Sequence, residues 1–385
     1  MSEILKPVND AQLLQAVQWA VSEKTPLEIV AGGTKRDYGR PMQTAATLDL
    51  SDMSQIKVYE PAELFITAEA AAPMAEIDRV LGEAGQQLSF EPPDLGPLLG
   101  TPAGGATIGG IVAANLAGPR RIKEGSARDH LLGFHAVSGR GEEFKSGGTV
   151  VKNVSGFDLS KLMAGSFGTL AVLSSLTMKV LPAPEKTRTL LLRWRPDGVY
   201  AHAAMRVMSQ ALGSPHDVSA AAHLPALVAS RSGIDFINVT GGGVTALRIE
   251  GPEPSVKHRA EMLTRELKNF ATIEELHTSN SKIFWRSVRD VHPFVDRADL
   301  PYVWRLSVPP ASGAKIALSI LEDLNGEVFY DWGGGLIWLA LAPVFNAGAE
   351  VIRAVLESSG GHATLVRAPA DIRGTVPVMQ PLSET

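Results

Sequence analysis

The chain has 385 residues, of which 45% are hydrophobic and 20% charged, with a formal net charge of −5. This length favours two domains over a single core, and the absence of a basic stripe argues against nucleic acid as a partner. Cysteine is absent, which excludes disulfides, iron–sulfur ligation and thiolate catalysis by this chain's own residues.

The N-terminal region begins without the apolar core and cleavage site of a secretory signal. Hydrophobic periodicity, caps and turn residues then predict alternating short elements. Helices are expected at 10–21 (capped by Asp10), 74–85, 107–116 and 158–163 (capped by Asp158). Strands are expected at 27–31, 47–50, 63–70, 132–138, 142–145 and 170–181. The only long uncharged run, 95–118, contains two prolines and many glycines, so it does not predict a membrane span.

Pro182 and Pro184 punctuate the chain, and we expect a domain at 1–184 and another at 185–385. The second half predicts a β-α-β-β-α order that occurs twice. Its expected strands are 189–194, 236–239, 244–250, 303–308, 328–331, 337–341 and 362–366, and its helices are 198–212, 255–270, 314–324 and 347–358. This order predicts ferredoxin-like halves that share an antiparallel sheet with helices on one face.

Two glycine-rich segments of the first half predict a nucleotide cofactor site. The first follows the strand at 27–31 and reads Gly-Gly-Thr-Lys-Arg-Asp-Tyr-Gly at 32–39. The second is Thr-Ile-Gly-Gly at 107–110. Turns of this kind offer consecutive backbone N–H groups to phosphate oxygens, and basic side chains add charge. No GxGxxG follows the first strand and no GxxxxGK[ST] is present, so neither a Rossmann nor a Walker site is predicted.

These segments, together with SARDHLLG at 126–133 and KNVSGFDLSKLMAGSFGTL at 152–170, resemble the FAD-binding domain of the vanillyl-alcohol oxidase superfamily. FEPPD at 90–94, WRLSVP at 304–309, DWGG at 331–334 and GGHAT at 360–364 extend the similarity to the small FAD-binding E subunits of bacterial glycolate oxidases. The resemblance implies an α+β chain: a two-part PCMH-type FAD-binding domain followed by a ferredoxin-like antiparallel-sheet cap domain.

The resemblance also implies which residues bind FAD. The expected contacts are Gly32, Gly33, Thr34, Lys35, Arg36 and Asp37 in the first loop; Thr107, Gly109, Gly110, Asn115 and Gly118 in the second segment; Ser126 and Asp129; and Gly168, Thr169 and Val172 near the adenosine. Lys152 and Asn153 lie in a family motif without an assigned contact, and His130 is expected to pack. Because the first loop has no His and the chain no Cys, noncovalent FAD is expected.

The second half departs from the pattern of catalytic relatives. Their histidine-rich segments are replaced by DWGGGLIW and SGGHAT, which argues against a metal site, and Ile337 stands where an arginine is usual. The remaining candidate catalytic residues are His362, Arg305 and His292. A structural ion pair for Arg305, a satisfied structural role for His362 and a solvated helix face for His292 remain the alternatives.

The resemblance implies an FAD-dependent oxidoreductase subunit of a glycolate (2-hydroxy acid) oxidase, which gives glyoxylate and passes electrons to an iron–sulfur partner. A larger FAD-binding subunit is the other implied partner. The implied location is cytoplasmic, or at the inner face of the membrane through partner subunits. Two alternatives stay open: a non-catalytic FAD-binding scaffold, and a stand-alone FAD-dependent oxidase of another alcohol.

Overall fold

The computed structural model describes residues 3–149, 157–196, 198–238 and 241–381. Two compact units divide the chain. Unit 1 comprises Met1–Arg36, Met42–Gly118 and Glu124–Ala183, and unit 2 comprises Asp37–Pro41, Pro119–Lys123 and Pro184–Thr385. Two short segments of the first half of the sequence, 37–41 and 119–123, therefore belong to unit 2.

The structure mixes strands and helices throughout, as the predicted α+β class requires. The strands are β1 Glu3–Leu5, β2 Leu27–Val30, β3 Ala46–Asp49, β4 Ile56–Glu60, β5 Phe65–Glu69, β6 Gln86–Gln87, β7 Leu131–Ser138, β8 Glu143–Gly147, β9 Ala171–Lys179, β10 Leu181–Pro182, β11 Lys186–Arg193, β12 Val218–Leu224, β13 Val244–Gly251, β14 Thr272–Leu276, β15 Tyr302–Ser307, β16 Gly326–Asp331, β17 Leu336–Leu341 and β18 His362–Arg367. The α-helices are α1 Asp10–Ser22, α2 Met74–Glu83, α3 Ile108–Ala113, α4 Arg121–Glu124, α5 Ala127–His130, α6 Leu159–Met163, α7 Ala201–Leu212, α8 Ala226–Ala229, α9 Asp235–Asn238, α10 Glu253–Leu267, α11 Thr278–Arg289, α12 Gly313–Asp323, α13 Ala349–Ser359 and α14 Ala370–Thr375.

Unit 1 contains two main sheets. A parallel sheet has the order β1-β3-β2, and an antiparallel sheet has the order β4-β5-β9-β7-β8. A core cluster that includes Leu13 and Val17 of α1, Leu48 of β3 and Val172 of β9 joins elements of both. Unit 1 thus has the two parts that the resemblance implies for an FAD-binding domain.

Helix caps in unit 1 follow the predicted chemistry with one correction. Asp158 caps α6, and the Thr107 side chain accepts a hydrogen bond from the N–H of Gly110 at the start of α3. Helix α1 is capped by Asn9, whose side chain accepts from the N–H of Gln12, so the expectation of Asp10 as the cap was wrong by one residue. Both residue types supply the required side-chain oxygen, which is why the sequence alone did not separate them.

Unit 2 is built on one eight-stranded sheet with the order β14-β11-β13-β12-β16-β17-β15-β18. Each half of the sheet follows the same β-α-β-β-α-β order along the chain, and neighbouring strands of the sheet pair antiparallel. The halves meet at β12 and β16 through the pair His223↔Tyr330. The predicted antiparallel-sheet domain with two similar halves is confirmed.

The two faces of this sheet carry different side chains because strand residues alternate. Alternate residues of the strands, such as Leu190, Leu247 and Trp304, join the main core with residues of α7, α10, α12 and α13. On the opposite face of the first half, Trp285 of α11 donates a hydrogen bond to Thr189 Oγ1 at 2.8 Å. The expectation of helices on one face only was therefore wrong for the first half.

Some elements escaped the sequence reading. Strand β12 (Val-Ser-Ala-Ala-Ala-His-Leu) is alanine-rich and carries little of the β-branched signal on which strand prediction depends. The expected strand at 236–239 was wrong, because Asp235–Asn238 forms the short helix α9; Val239 lies outside the described residues. In the part of the chain that the structure describes, no helix combines the length and the apolar character needed to span a bilayer.

Candidate functional site

The loop that follows β2 exposes a run of backbone N–H groups. Among the described residues, no acceptor receives the N–H groups of Gly32, Gly33, Thr34 and Lys35. Gly33 has φ +68°, a left-handed conformation that glycine adopts without strain. Successive N–H groups around such a residue form a concave nest that suits an anion.

The Lys35 side chain adds a positive charge to this loop. Its Nζ lies 3.3 Å from Thr34 Oγ1. Burial lowers the pKa of Lys35 to about 8, while the nearby charge of Asp94 opposes that shift. A partly desolvated ammonium next to N–H groups that have no acceptor among the described residues gains more from a phosphate than an exposed lysine would.

Two other charged residues of the loop form ion pairs with residues elsewhere in the chain. Arg36 donates to both carboxylate oxygens of Glu28, from Nε at 2.8 Å and from Nη2 at 2.5 Å. Asp37, which falls in unit 2, accepts from Arg373 Nη2 at 2.6 Å. These ion pairs give both residues a structural role in the loop, and their predicted contact with FAD stays a prediction.

The second glycine segment offers no comparable nest. The N–H of Ile108 donates to Ala72 O at 3.1 Å, and that of Gly109 donates to Ala70 O at 2.8 Å. The N–H of Gly110 donates to Thr107 Oγ1 at 3.3 Å. Three consecutive amides that the sequence suggested for phosphate binding thus already have acceptors within unit 1.

Close packing explains why glycine is needed at several of these positions. A Cβ on Gly32 would lie 1.9 Å from Gly105 O, and one on Gly109 would lie 2.6 Å from Ala70 O. A Cβ on Gly110 would instead lie 3.4 Å from Lys35 Nζ and 3.3 Å from Thr107 Oγ1. Gly32 and Gly109 allow backbone segments to meet, whereas Gly110 faces the Lys35 ammonium.

The other residues predicted to contact FAD form hydrogen bonds or packing contacts within unit 1. Ser126 and Asp129 form a capping box at α5, with Asp129 Oδ2 accepting from Ser126 N at 2.8 Å. Hydrogen bonds involve the remaining polar groups: Asn115 Oδ1 accepts from Arg128 N, Gly118 N donates to Phe90 O, and Thr169 Oγ1 donates to Ser166 O.

Gly168 has φ +73°, and the Val172 side chain belongs to the core cluster of unit 1. The His130 ring is buried 5.1 Å from the Phe90 ring, as expected of a packing residue, and burial lowers its pKa. Lys152 and Asn153 lie outside the described residues.

Unit 2 brings together two of the three candidate catalytic residues. Arg305 of β15 pairs with Thr364 of β18, which stands two residues from His362. Side chains two residues apart on a strand share a face, so Arg305 and His362 lie on the same side of the sheet. This is the face opposite the main core, because Trp304 and Leu306 on either side of Arg305 belong to that core.

A buried indole completes this group. The guanidinium carbons of Arg121 and Arg305 lie 4.3 Å and 5.1 Å from the ring centroid of Trp332. Trp332 is 4% exposed and has φ +52°, an unusual backbone conformation for a bulky residue. Its N–H donates to Asp331 Oδ1 at 2.7 Å, which holds the turn in place. Such strain is typical of functional sites.

We call Arg121, Arg305, Trp332, Tyr38 and His362 the arginine–indole cluster. Burial lowers the pKa of the Arg305 guanidinium, an effect that Tyr38 opposes. Burial raises the pKa of the Tyr38 hydroxyl, and Arg305 opposes that shift. Among the described residues, no carboxylate forms an ion pair with Arg305. The cluster is therefore a positively charged site that suits a small anion.

His362 lies close enough to Arg305 and Arg121 for their positive charges to act on its imidazole. Partial burial and the charges of Arg305 and Arg121 lower the pKa of His362. The neutral imidazole that results at neutral pH can accept a proton. An anion and a proton acceptor could thus be held side by side.

The third candidate, His292, starts a short 3-10 turn and is exposed, and no described contact connects it with the cluster. Ile337 is fully buried in the main core, on the face opposite Arg305. Its identity therefore removes no charge from the cluster.

The sequence reading missed Tyr38 and Trp332 as members of this group. Trp332 had a usable signal, since the Asp-Trp-Gly-Gly turn follows a strand of the second half. Of the basic residues at 120–123, Arg120 and Lys123 pair with Glu250 and Asp217. Within the described ranges, no group of three or more His, Asp or Glu side chains is placed to hold a metal ion.

Comparison with known proteins identifies the relatives of this chain. The family model "FAD binding domain" matches residues 2–147. The chain is 36% identical to the glycolate oxidase subunit GlcE of Escherichia coli K12 over 372 residues, which cover 96% of this chain and 90% of the relative. It is 31% identical to a D-lactate dehydrogenase of Archaeoglobus fulgidus over 46% of this chain and 38% of the relative.

Solved structures show the same fold at low identity. The 4-ethylphenol oxidase from Gulosibacter chungangensis has a TM-score of 0.71 at 13% identity, over 96% of this chain and 81% of that one. An alkyldihydroxyacetonephosphate synthase has a TM-score of 0.68 at 16% identity, over 93% and 71%. With more than one third of its residues identical across nearly its whole length, the chain belongs to the family of the glycolate oxidase subunit GlcE, whose members are FAD-binding oxidoreductases.

Proposed function

We propose that this protein is the FAD-binding subunit of a glycolate (2-hydroxy acid) oxidase complex. Similarity to GlcE, to D-lactate dehydrogenases and to a glycolate oxidase subunit GlcD of Bacillus subtilis (28% identical over 49% of this chain) supports 2-hydroxy acids as the substrate class. The chain has no cysteine, so iron–sulfur clusters that receive the electrons would belong to a partner subunit. The larger flavin subunit is the second proposed partner.

In this proposal the nest at Gly32–Lys35 binds the pyrophosphate of FAD. Its four N–H groups, which have no acceptor among the described residues, and the Lys35 ammonium form a donor set that fits two linked phosphates. Bound FAD supplies the two-electron acceptor that oxidation of an alcohol requires. The residues present hold this cofactor without a covalent bond, since the loop contains neither His nor Cys.

The observation that carries the proposed substrate class is the arginine–indole cluster. Arg305 is half-buried, shares an indole with Arg121, and forms no ion pair with a described carboxylate. A carboxylate of a 2-hydroxy acid would satisfy this charge through two parallel N–H···O bonds. The neutral His362 would then accept the proton of the substrate hydroxyl.

Substitution of Arg305 tests this assignment. In the assembled complex, Arg305→Leu should raise the KM for glycolate about 10- to 100-fold, because one charge-assisted hydrogen-bonded pair is lost. The FAD content should not change, since the nest is built from other residues. Arg353→Leu is the matched control. The guanidinium carbon of Arg353 lies 5.7 Å from the ring centroid of Trp304, whose side chain is on the opposite face of the sheet from that of Arg305. This variant should therefore leave KM unchanged.

Anaerobic bleaching of the flavin absorbance by glycolate gives the second readout. Bleaching that requires the partner subunits and is weakened by Arg305→Leu supports the proposal. A complex in which Arg305→Leu leaves both KM and bleaching unchanged would remove Arg305 from substrate binding and would favour the alternative of a non-catalytic FAD-binding scaffold.

A further inference from the structure

The hairpin turn at 332–335, which connects β16 and β17, has an unusual backbone. Its first three residues have positive φ: +52° at Trp332, +66° at Gly333 and +100° at Gly334. Glycine adopts this region readily, but a tryptophan in it costs free energy. Contacts elsewhere in the structure must therefore hold Trp332 in this conformation.

Close packing against the main core holds the turn. A Cβ on Gly333 would lie 2.5 Å from Leu212 Cδ1 of α7. A Cβ on Gly334 would lie 2.3 Å from Met205 Sδ of the same helix. The backbone of the turn thus lies directly against α7, and this packing fixes the point from which the Trp332 indole projects.

The indole contacts Arg305 through the face of its ring. The guanidinium carbon of Arg305 lies 5.1 Å from the ring centroid, within the range of a cation–π interaction. An interaction with the ring face uses none of the N–H donors, which lie in the plane of the guanidinium. A carboxylate at the same place would compete with an anionic substrate for those donors. The indole can therefore restrict the Arg305 side chain and still leave its donors to an anion.

Another arginine of unit 2 has an indole and a carboxylate together. The guanidinium carbon of Arg248 lies 4.8 Å from the ring centroid of Trp285, and its Nε lies 3.3 Å from Glu250 Oε2. The charge of Arg248, which is 2% exposed, is thus balanced within the fold. Arg305 is half-buried against a similar ring but forms no ion pair with a described carboxylate. This contrast indicates that the charge of Arg305 serves a ligand.

We propose that Trp332 is a positioning residue for substrate binding, whose indole holds the Arg305 guanidinium in the orientation that receives the carboxylate of a 2-hydroxy acid. This inference rests on the proposed function, which assigns that carboxylate to Arg305. A mobile arginine side chain loses conformational freedom when it binds an anion. A side chain that is already held against a ring loses less, so the substrate binds more tightly.

Fluorinated tryptophans at position 332 test this role, because ring fluorines weaken the cation–π interaction and hardly change the shape of the indole. Tryptophan with one, two or three ring fluorines is introduced at this position alone, in the assembled complex. The readouts are KM and kcat for glycolate and the inhibition constant of oxamate, a carboxylate without an oxidisable hydroxyl. We expect KM and the inhibition constant to rise stepwise by about 2- to 10-fold in all, the cost of immobilising one side chain. The value of kcat should stay within about twofold.

Two controls separate positioning from a general effect on the fold. The same series at Trp285, whose indole stacks on Arg248 outside the arginine–indole cluster, should leave KM and the inhibition constant unchanged. In the Arg305→Leu background, the series at position 332 should have no further effect, because the guanidinium through which the indole acts is gone.

The outcomes distinguish this inference from the proposed function. If Arg305→Leu alone leaves KM unchanged, the proposed carboxylate site is wrong and the role of Trp332 fails with it. If Arg305→Leu raises KM but fluorination at position 332 changes neither constant, the positioning role alone is overturned. An equal effect at Trp285, an effect that persists without Arg305, or a fall in kcat at unchanged KM would also overturn it.

Discussion

The two glycine-rich segments of unit 1 resemble each other in sequence but differ in the state of their backbone N–H groups. At Gly32–Lys35 the amides have no acceptor among the described residues, whereas at Ile108–Gly110 each amide donates to an oxygen of unit 1. The N–H groups of the first segment are available to an anion, whereas those of the second segment hold backbone segments of unit 1 together. Glycine content alone therefore does not identify which backbone contacts a cofactor.

The largest effect we expect comes from the second segment. Gly109→Ala would place a Cβ 2.6 Å from Ala70 O, and the resulting overpacking should lower the free energy of unfolding by up to about 3 kcal/mol. Gly110→Ala in the same helix is the control. Its Cβ would lie 3.3 Å from Thr107 Oγ1 and 3.4 Å from Lys35 Nζ, which are side-chain atoms, so we expect stability to change by less than about 1 kcal/mol. Urea denaturation of both variants measures the difference, and equal stabilities would show that Gly109 has no packing role.

Removal of the lysine charge tests the other segment. Lys35→Ala should raise the dissociation constant for FAD about 10- to 100-fold, since a charge-assisted hydrogen bond to phosphate is lost. The free energy of unfolding of the cofactor-free protein should not fall, because Lys35 is partly desolvated without a strong ion pair. Equilibrium titration with FAD measures the affinity. An unchanged dissociation constant would remove Lys35 from the site.

The pKa of Lys35 predicts a pH dependence of about tenfold. Its value of about 8 without cofactor should rise when the phosphates bind, so binding takes up a proton above pH 8. FAD affinity is then highest below pH 8 and should fall about tenfold between pH 7 and pH 9. Lys35→Arg should flatten this profile, because arginine stays charged across the range. A profile that slopes equally in both proteins would assign the effect to another group.

The smallest expected effect is at the neighbouring arginine. The Arg36 guanidinium is committed to Glu28 through two hydrogen bonds, so Arg36→Ala should change FAD affinity less than about threefold, as for other partly exposed ion pairs. The same titration used for Lys35→Ala makes the comparison direct. A loss as large as that of Lys35→Ala would mean that Arg36 leaves Glu28 to bind phosphate.

Sequence patterns predicted what depends on local periodicity. The repeated strand and helix order of unit 2 was readable because Leu190, Leu247 and their neighbours alternate between a core and an opposite face. Sequence patterns could not show where α11 packs, because its position depends on the hydrogen bond from Trp285 to Thr189, a residue 96 positions away in the chain.

The candidate site was predictable to the same extent. The glycine loop after β2 was visible in the sequence. The carbonyl oxygens of Ala70 and Ala72, which accept hydrogen bonds from N–H groups of the second segment, could not be predicted from it. Likewise, Arg305 and His362 were candidates from the sequence, while the indole that Arg305 shares with Arg121 follows only from the fold.

Hydrogen–deuterium exchange of the backbone amides, compared between FAD-loaded and FAD-stripped protein, tests the contrast between the two segments most directly. We predict that FAD slows exchange at Gly32–Lys35 and leaves Ile108–Gly110 nearly unchanged, because the latter protons already have acceptors. Protection that appears at Ile108–Gly110 and is absent from Gly32–Lys35 would contradict the account.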